Sequence, residues 1–205
     1  MRTQFTFIHG WGMDSGIWDK LAKYFPSEQS HFVDLWFIGA EHTPPNNPSI
    51  YITHSLGTLW ALKYHTPNIN ALIAINSFTN FTNFVDERIL LTMQKQLRRN
   101  PQALMNEFWQ NIGLENPLDQ NLNIDKLREG LDWLINWNEK AELNAPILSL
   151  AGKQDSLLPI TQTKKEWAGT NLEVKEDGGH ILPLSHPEWC ADKIKGFLSE
   201  YKLEK

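Results

Sequence analysis

A β-type run from Ser49 to Thr53 breaks at His54-Ser55, and a helix-type run begins at Leu56. A chain that passes from strand to helix so abruptly makes a sharp corner. The corner lifts one hydroxyl, that of Ser55, clear of the sheet, and it aims the next backbone N–H at the space in front of it. The bare pattern Ser55-Leu56-Gly57 is common, and a serine in this place is also an ordinary helix N-cap.

The rest of the chain supplies the sheet that such a corner needs. Apolar β-type runs recur at Phe5–Ile8, His31–Leu35, Ile50–Thr53, Ala71–Ile75, Pro146–Ala151 and Leu172–Lys175. Helix-type segments separate several of them, roughly Ile17 to Phe25 and Leu56 to His65, the latter stopped by Pro67-Asn68. A loop rich in Pro, Asn and Thr, His42 to Asn47, precedes the third run. Strands alternating with helices predict βαβ units and a mostly parallel sheet of six strands, with reactive groups gathered at the strands' carboxyl ends. From Thr79 to Leu143 the alternation stops. Three helical patterns, near Glu87–Arg99, Pro101–Gly113 and Ile124–Glu139, occupy that stretch. The expected division is therefore a core of residues 1–78 and 144–205, with a helical lid at 79–143 over the catalytic edge.

Length and composition are compatible with this reading. The 205 residues suit one domain with a sizeable core and an insertion, and 41% hydrophobic with 21% charged residues is ordinary for a globular protein. A net charge of −5, without a polybasic run, gives no electrostatic reason to expect nucleic acid. Cys190 is the single cysteine, which excludes an intrachain disulfide. No apolar stretch is long enough to cross a bilayer, and the segment from Met1 to Gly10 is too short and interrupted for a secretory signal. The expectation is a cytoplasmic monomer.

A serine hydroxyl attacks only when a base removes its proton. His180, in Gly178-Gly179-His180 after the sixth β-type run, is the candidate base. Asp155, just after the fifth, is the candidate carboxylate that orients an imidazole and stabilises its cation. A loop histidine is also a common surface residue, and Asp155 would equally cap a turn. Joint occurrence, each group after a separate strand and in the order Ser, Asp, His, favours the triad. Asp177 is a rival acid, too close to His180 in sequence to come from a separate strand end. The first run closes on His9-Gly10-Trp11-Gly12, where the Trp11 backbone N–H is a second oxyanion donor candidate beside Leu56. A tight glycine turn with Trp11 packed over it accounts for the same residues. Nothing resembles HExxH, a paired CxxC or a phosphate-cradling glycine loop, so neither metal nor organic cofactor is expected.

These landmarks resemble the α/β-hydrolase superfamily from His9-Gly10-Trp11-Gly12, through Asp34-Leu35 and Thr53-His54-Ser55-Leu56-Gly57, to Asp155 and His180. More narrowly, the chain is similar to the pimeloyl-[acyl-carrier protein] methyl ester esterases of biotin synthesis. That similarity rests on His-Gly-Trp-Gly-Met at 9–13, Leu127-Arg128-Glu129-Gly130-Leu131 and Gly179-His180-Ile181-Leu182-Pro183-Leu184-Ser185-His186-Pro187-Glu188. The resemblance implies Ser55 as nucleophile, Asp155 as acid, His180 as base, and Trp11 and Leu56 as oxyanion and substrate contacts. The sequence departs from the pattern at Thr53 and Thr58, where glycines are usual, and it lacks the superfamily's leading antiparallel hairpin, so the sheet is expected to begin at Phe5.

The implied reaction is hydrolysis of a carboxylic ester, on a carrier-linked or small substrate. Phe108, Trp109, Trp133 and Trp137 offer apolar surface for an acyl chain, although core packing explains such rings equally well. Arg88, Lys95, Arg98 and Arg99 form a basic patch that would steer an acidic acyl-carrier protein, or else a solvated helix face. A general short-chain carboxylesterase or thioesterase, a transacylase and a ligand receptor without turnover are the other readings of the same residues.

Overall fold

The computed structural model describes residues 3–42, 47–114, 121–140 and 143–203. Residues 43–46 of the anticipated Pro/Asn/Thr loop and residues 115–120 and 141–142 of the insertion lie outside them. Six strands form one sheet: β1 (Phe5–Ile8), β2 (Ser30–Val33), β3 (Ser49–His54), β4 (Ile69–Ile75), β5 (Ile147–Gly152) and β6 (Asn171–Lys175), in the order β2-β1-β3-β4-β5-β6. All five neighbouring pairs are parallel. The chain order reverses between β1 and β3, the switch point at which open parallel sheets hold ligands. The central strand β3 is buried at all six positions and β4 at all but Asn70, which is why both read as unbroken apolar runs.

The helices are α1 (Leu56–His65), α2 (Glu87–Arg99), α3 (Pro101–Asn111), α4 (Ile124–Asn136), α5 (Ile160–Glu166), α6 (Leu182–Ser185) and α7 (Pro187–Glu200). Helix α1 lies so close to β1 that a Cβ at Gly57 would sit 2.4 Å from the Ile8 carbonyl oxygen and 2.6 Å from that of His9. Only glycine permits that approach. The expected helix over 17–25 is instead two 3₁₀ turns, Ser15–Trp18 and Leu21–Tyr24. Trp18, which ends the first turn, and Leu21, which begins the second, are both fully buried.

Between β4 and β5, α2, α3 and α4 begin where the sequence places them. Each has a side-chain cap: Asp86 accepts from the Arg88 N–H, Asn100 from Ala103 and Asn123 from Lys126. Helix α2 packs on both α3 and α4. Two indoles join this bundle to the loop after β1. Trp109 on α3 donates to the Gly12 carbonyl at 2.7 Å, and Trp11 donates to the Leu127 carbonyl on α4 at 2.8 Å. A Cβ at Gly130 would lie 2.5 Å from the Trp11 ring, so the glycine of Leu127–Leu131 makes room for that indole. Among the described residues, no helix is long and apolar enough to cross a membrane.

Candidate active site

Ser55 sits between β3 and α1 at φ 51° and ψ −123°, a conformation that costs an L-residue energy and persists only where its surroundings enforce it. Its side chain makes no helix-capping hydrogen bond, so the capping explanation fails and the hydroxyl is uncommitted. Its N–H is held by the Ile75 carbonyl at 3.1 Å. Across the corner, a Cβ at Gly10 would come within 2.9 Å of the Ser55 Cβ, so the two loops are in contact. Leu56 opens α1, and its N–H has no acceptor within the helix.

Asp155 and His180 meet from the ends of β5 and β6. His180 Nδ1 donates to Asp155 Oδ2 at 2.8 Å, both side chains being about 1% exposed. That assignment leaves Nε2 as the ring's acceptor. Asp155 Oδ1 receives the N–H groups of Leu157 and Leu158 at 2.8 and 3.0 Å, and Oδ2 also receives the Asn76 amide at 2.8 Å. Burial alone would raise the Asp155 pKa; the His180 charge and hydrogen bond, with the two backbone donors, bring it below the ordinary carboxylate value. The rival Asp177 is turned elsewhere, 2.7 Å from Lys175 Nζ and 3.7 Å from His186 Nε2.

His54 connects Ser55 to this pair. Its Nε2–H donates to the His180 carbonyl at 2.9 Å, and the two rings meet edge to face with centroids 4.9 Å apart. Burial lowers the His54 pKa to about 3, so the ring is neutral; its Nδ1 has no partner among the described residues. The Ser55 hydroxyl and the His180 ring form no hydrogen bond in this structure. The loop carrying His180 presses on β5 so tightly that a Cβ at Gly152 would lie 2.4 Å from the carbonyls of both Gly178 and Gly179.

In the His9–Gly12 loop, His9 Nε2 accepts the Leu35 N–H at 3.0 Å, which places the ring proton on Nδ1, donating to the Gly10 carbonyl at 2.8 Å. Gly12 has φ +66°, and a Cβ there would strike Met105. Above Ser55 opens a cavity of about 590 Å³, a size typical of small-molecule sites. Phe81, Met93, Leu104, Phe108 and Leu134 make much of its apolar wall, with Trp11 and Ser55 also lining it and Arg88 and Glu107 among its polar groups.

Of the four rings expected along an acyl chain, Phe108 lines this cavity; Trp109, Trp133 and Trp137 do not. Trp109 is buried and committed to Gly12, while Trp133 and Trp137 stack on each other, Trp133 also tilting against Phe37. Core packing therefore accounts for those three. Arg88, Lys95, Arg98 and Arg99 are all exposed on α2, Arg88 paired with Asp86. Asn76 and His54 were not among the residues singled out from sequence. Only the corner motif marks His54, and the polar end of an apolar strand is the sole signal for Asn76.

No protein-family model matches the chain. It is 24% identical to the pimeloyl-[acyl-carrier protein] methyl ester esterase of Xylella fastidiosa strain M12, over 94% of this chain and 93% of that protein. The Serratia marcescens esterase of the same name is 23% identical over 95% and 93%. Among solved structures, an esterase from Exiguobacterium antarcticum superposes with TM-score 0.79 at 17% identity, covering 97% of this chain and 92% of that one. The hydrolase olei00960 from Oleispira antarctica gives 0.76 at 13%, over 97% and 92%. By its parallel sheet, its corner serine and these superpositions, the chain has the α/β-hydrolase fold, and along nearly its whole length it resembles the pimeloyl-[acyl-carrier protein] methyl ester esterases.

Proposed function

We propose that this protein is a carboxylic ester hydrolase working through Ser55, His180 and Asp155. The observation that carries the reading is a strained serine with an uncommitted hydroxyl lining an apolar cavity, whose neighbour His54 is bonded to His180 of a buried, hydrogen-bonded His–Asp pair. His180 Nε2 takes the Ser55 proton as Oγ bonds to the ester carbonyl carbon. The C–O bond to the leaving alcohol then breaks, and the alcohol departs with that proton. Water, deprotonated by His180, attacks the acyl-enzyme and releases the acid and the free serine. The backbone N–H groups of Trp11 and Leu56 receive the oxyanion. Such bonds commonly close only around bound substrate, which accommodates the open Ser55–His180 leg. Helices α2–α4, within residues 79–143, serve as the lid and shape the acyl cavity.

The physiological ester is the methyl ester of a pimeloyl chain carried by an acyl-carrier protein. Two things support this finer assignment: the names of relatives that align over nearly the full length, and the exposed cations of α2, one of which reaches the cavity. Hydrolysis of 4-nitrophenyl butyrate, abolished in Ser55→Ala, tests the chemistry, and a Ser55→Ala variant with undiminished turnover would overturn it. Hydrolysis of the carrier-linked methyl ester in preference to free dimethyl pimelate tests the substrate. Growth without biotin, restored by this protein in a bacterium lacking its own methyl-pimeloyl esterase, tests the pathway. Equal rates on the two esters would leave a general carboxylesterase, the reading favoured by the plain apolar character of the cavity wall.

A further inference from the structure

The two corner positions at which glycine is usual in the resembled family, Thr53 and Thr58, are bonded to each other. Their Oγ1 atoms are 2.6 Å apart and both residues are fully buried. Thr58 donates onward to Ser77 Oγ at 2.6 Å, and Ser77 donates to the Ile75 carbonyl at 2.9 Å. That same carbonyl holds the Ser55 N–H at 3.1 Å, and Ser77 Oγ lies 3.4 Å from the Ser55 carbonyl. A hydroxyl has one proton. With the Thr58 proton on Ser77 and the Ser77 proton on Ile75, the Thr53–Thr58 bond uses the proton of Thr53, shared with the Ile73 carbonyl oxygen, which is 3.1 Å from Thr53 Oγ1 against 2.6 Å for Thr58 Oγ1. The three hydroxyls thus form a directed chain, from the last turn of β3 to the first turn of α1 and then to the end of β4.

We propose that Thr53, Thr58 and Ser77 are positioning residues that together set the placement of Ser55 for ester hydrolysis. The chain spans the corner from two residues before Ser55 to three after it, and it ends on the carbonyl that fixes the Ser55 N–H. It joins, side chain to side chain, the two elements whose junction carries the strained φ of 51°. Two bulky replacements of glycine at a crowded turn are then one feature, each supplying the other's hydrogen-bond partner. Removing either costs the other its cross-corner hydrogen bond, leaving Thr53 only the Ile73 carbonyl and Thr58 only Ser77, so the pair acts as a unit.

The proposal rests on Ser55 being the nucleophile, and the test separates the two. Thr53→Val, Thr58→Val, the double variant and Thr53→Ser/Thr58→Ser are compared with the parent and Ser55→Ala. The readouts are kcat and KM for 4-nitrophenyl butyrate, the rate of Ser55 labelling by a fluorophosphonate, and the melting temperature. Each single valine variant is expected to lose about tenfold or more in kcat and labelling rate, with KM within about twofold. The double variant is expected to be no worse than the poorer single one, and the serine pair to retain most of the parent's kcat. Folded valine variants with the parent's kcat, or losses that multiply in the double variant, overturn the positioning role while Ser55→Ala remains inactive. An active Ser55→Ala overturns the nucleophile assignment and the positioning role with it. Should a valine variant fail to fold, Thr53→Ala and Thr58→Ala are read by the same criteria.

Discussion

Asn76 donates its side-chain N–H to Oδ2 of Asp155 over 2.8 Å, the oxygen that also accepts from His180 Nδ1, and the same amide lies 3.2 Å from the Gly179 carbonyl. One residue at the end of β4 thereby fixes both Asp155 and the loop that carries His180. Its backbone is at φ 44°, a left-handed conformation that asparagine tolerates better than most side chains. Removing a hydrogen bond to a charged group costs about 1.5–3 kcal/mol, so Asn76→Gly is expected to lower kcat by about 10–100-fold. Asn76→Ala is expected to lose the same activity and to melt earlier as well, since alanine has neither glycine's freedom nor asparagine's polar side chain to ease the left-handed backbone. Kinetics and melting curves on the two variants separate the amide's contribution from the backbone's.

Trp109 and Trp11 point their indoles in opposite senses across the boundary between the bundle and the sheet. Trp109→Phe keeps most of the ring but leaves the buried Gly12 carbonyl without its donor, a loss of about 1–3 kcal/mol. Urea denaturation should show that loss. The same variant should raise KM, because Gly12 adjoins Trp11, which lines the cavity.

Gly57→Ala is expected to destabilise far more than a one-carbon change usually does. The new Cβ would meet the Ile8 carbonyl oxygen at 2.4 Å, and both partners are backbone, with no side chain to swing aside. Overpacking of this kind costs about 3 kcal/mol or more. Soluble yield and melting temperature would register it, and an alanine variant as stable as the parent would refute the close approach of α1 to β1.

His54 predicts a pH dependence of stability with a definite sign. Its pKa falls from 6.5 to about 3 on burial, so between those values the unfolded chain binds the proton that the folded one refuses. The stabilising difference is complete above about pH 6.5 and is lost as the pH falls towards 3, at a limiting slope of about 1.4 kcal/mol per pH unit. The lowered pKa of Asp155 acts in the same direction, losing its contribution as acid protonates the carboxylate. Denaturation at pH 7 and pH 5 should therefore show less loss in His54→Gln than in the parent, by about 2 kcal/mol.

The strands were legible because a parallel sheet covered on both faces demands apolar runs, and the corner because few other arrangements put a strand directly against a helix. Ser55, Asp155 and His180 stood out as reactive types at separate strand ends. Asn76 did not, since an asparagine after an apolar run reads as an ordinary turn residue until Asp155 is seen beside it. The tryptophans were ambiguous for a related reason: Trp109 has a spacing that fits a cavity wall as well as a core, and only the acceptor of its N–H distinguishes the two. The 3₁₀ turns at 15–24 were hidden because apolar residues three apart satisfy either helical period over so short a stretch.

The unusual backbone of Ser55 also bears on how this molecule would answer selection for heat resistance. A Cβ is unwelcome at φ 51° and ψ −123°, while glycine accepts such angles freely. Ser55→Gly should therefore melt at a higher temperature than the parent while hydrolysing nothing. A screen that rewards only durability would discard the side chain proposed here as the nucleophile.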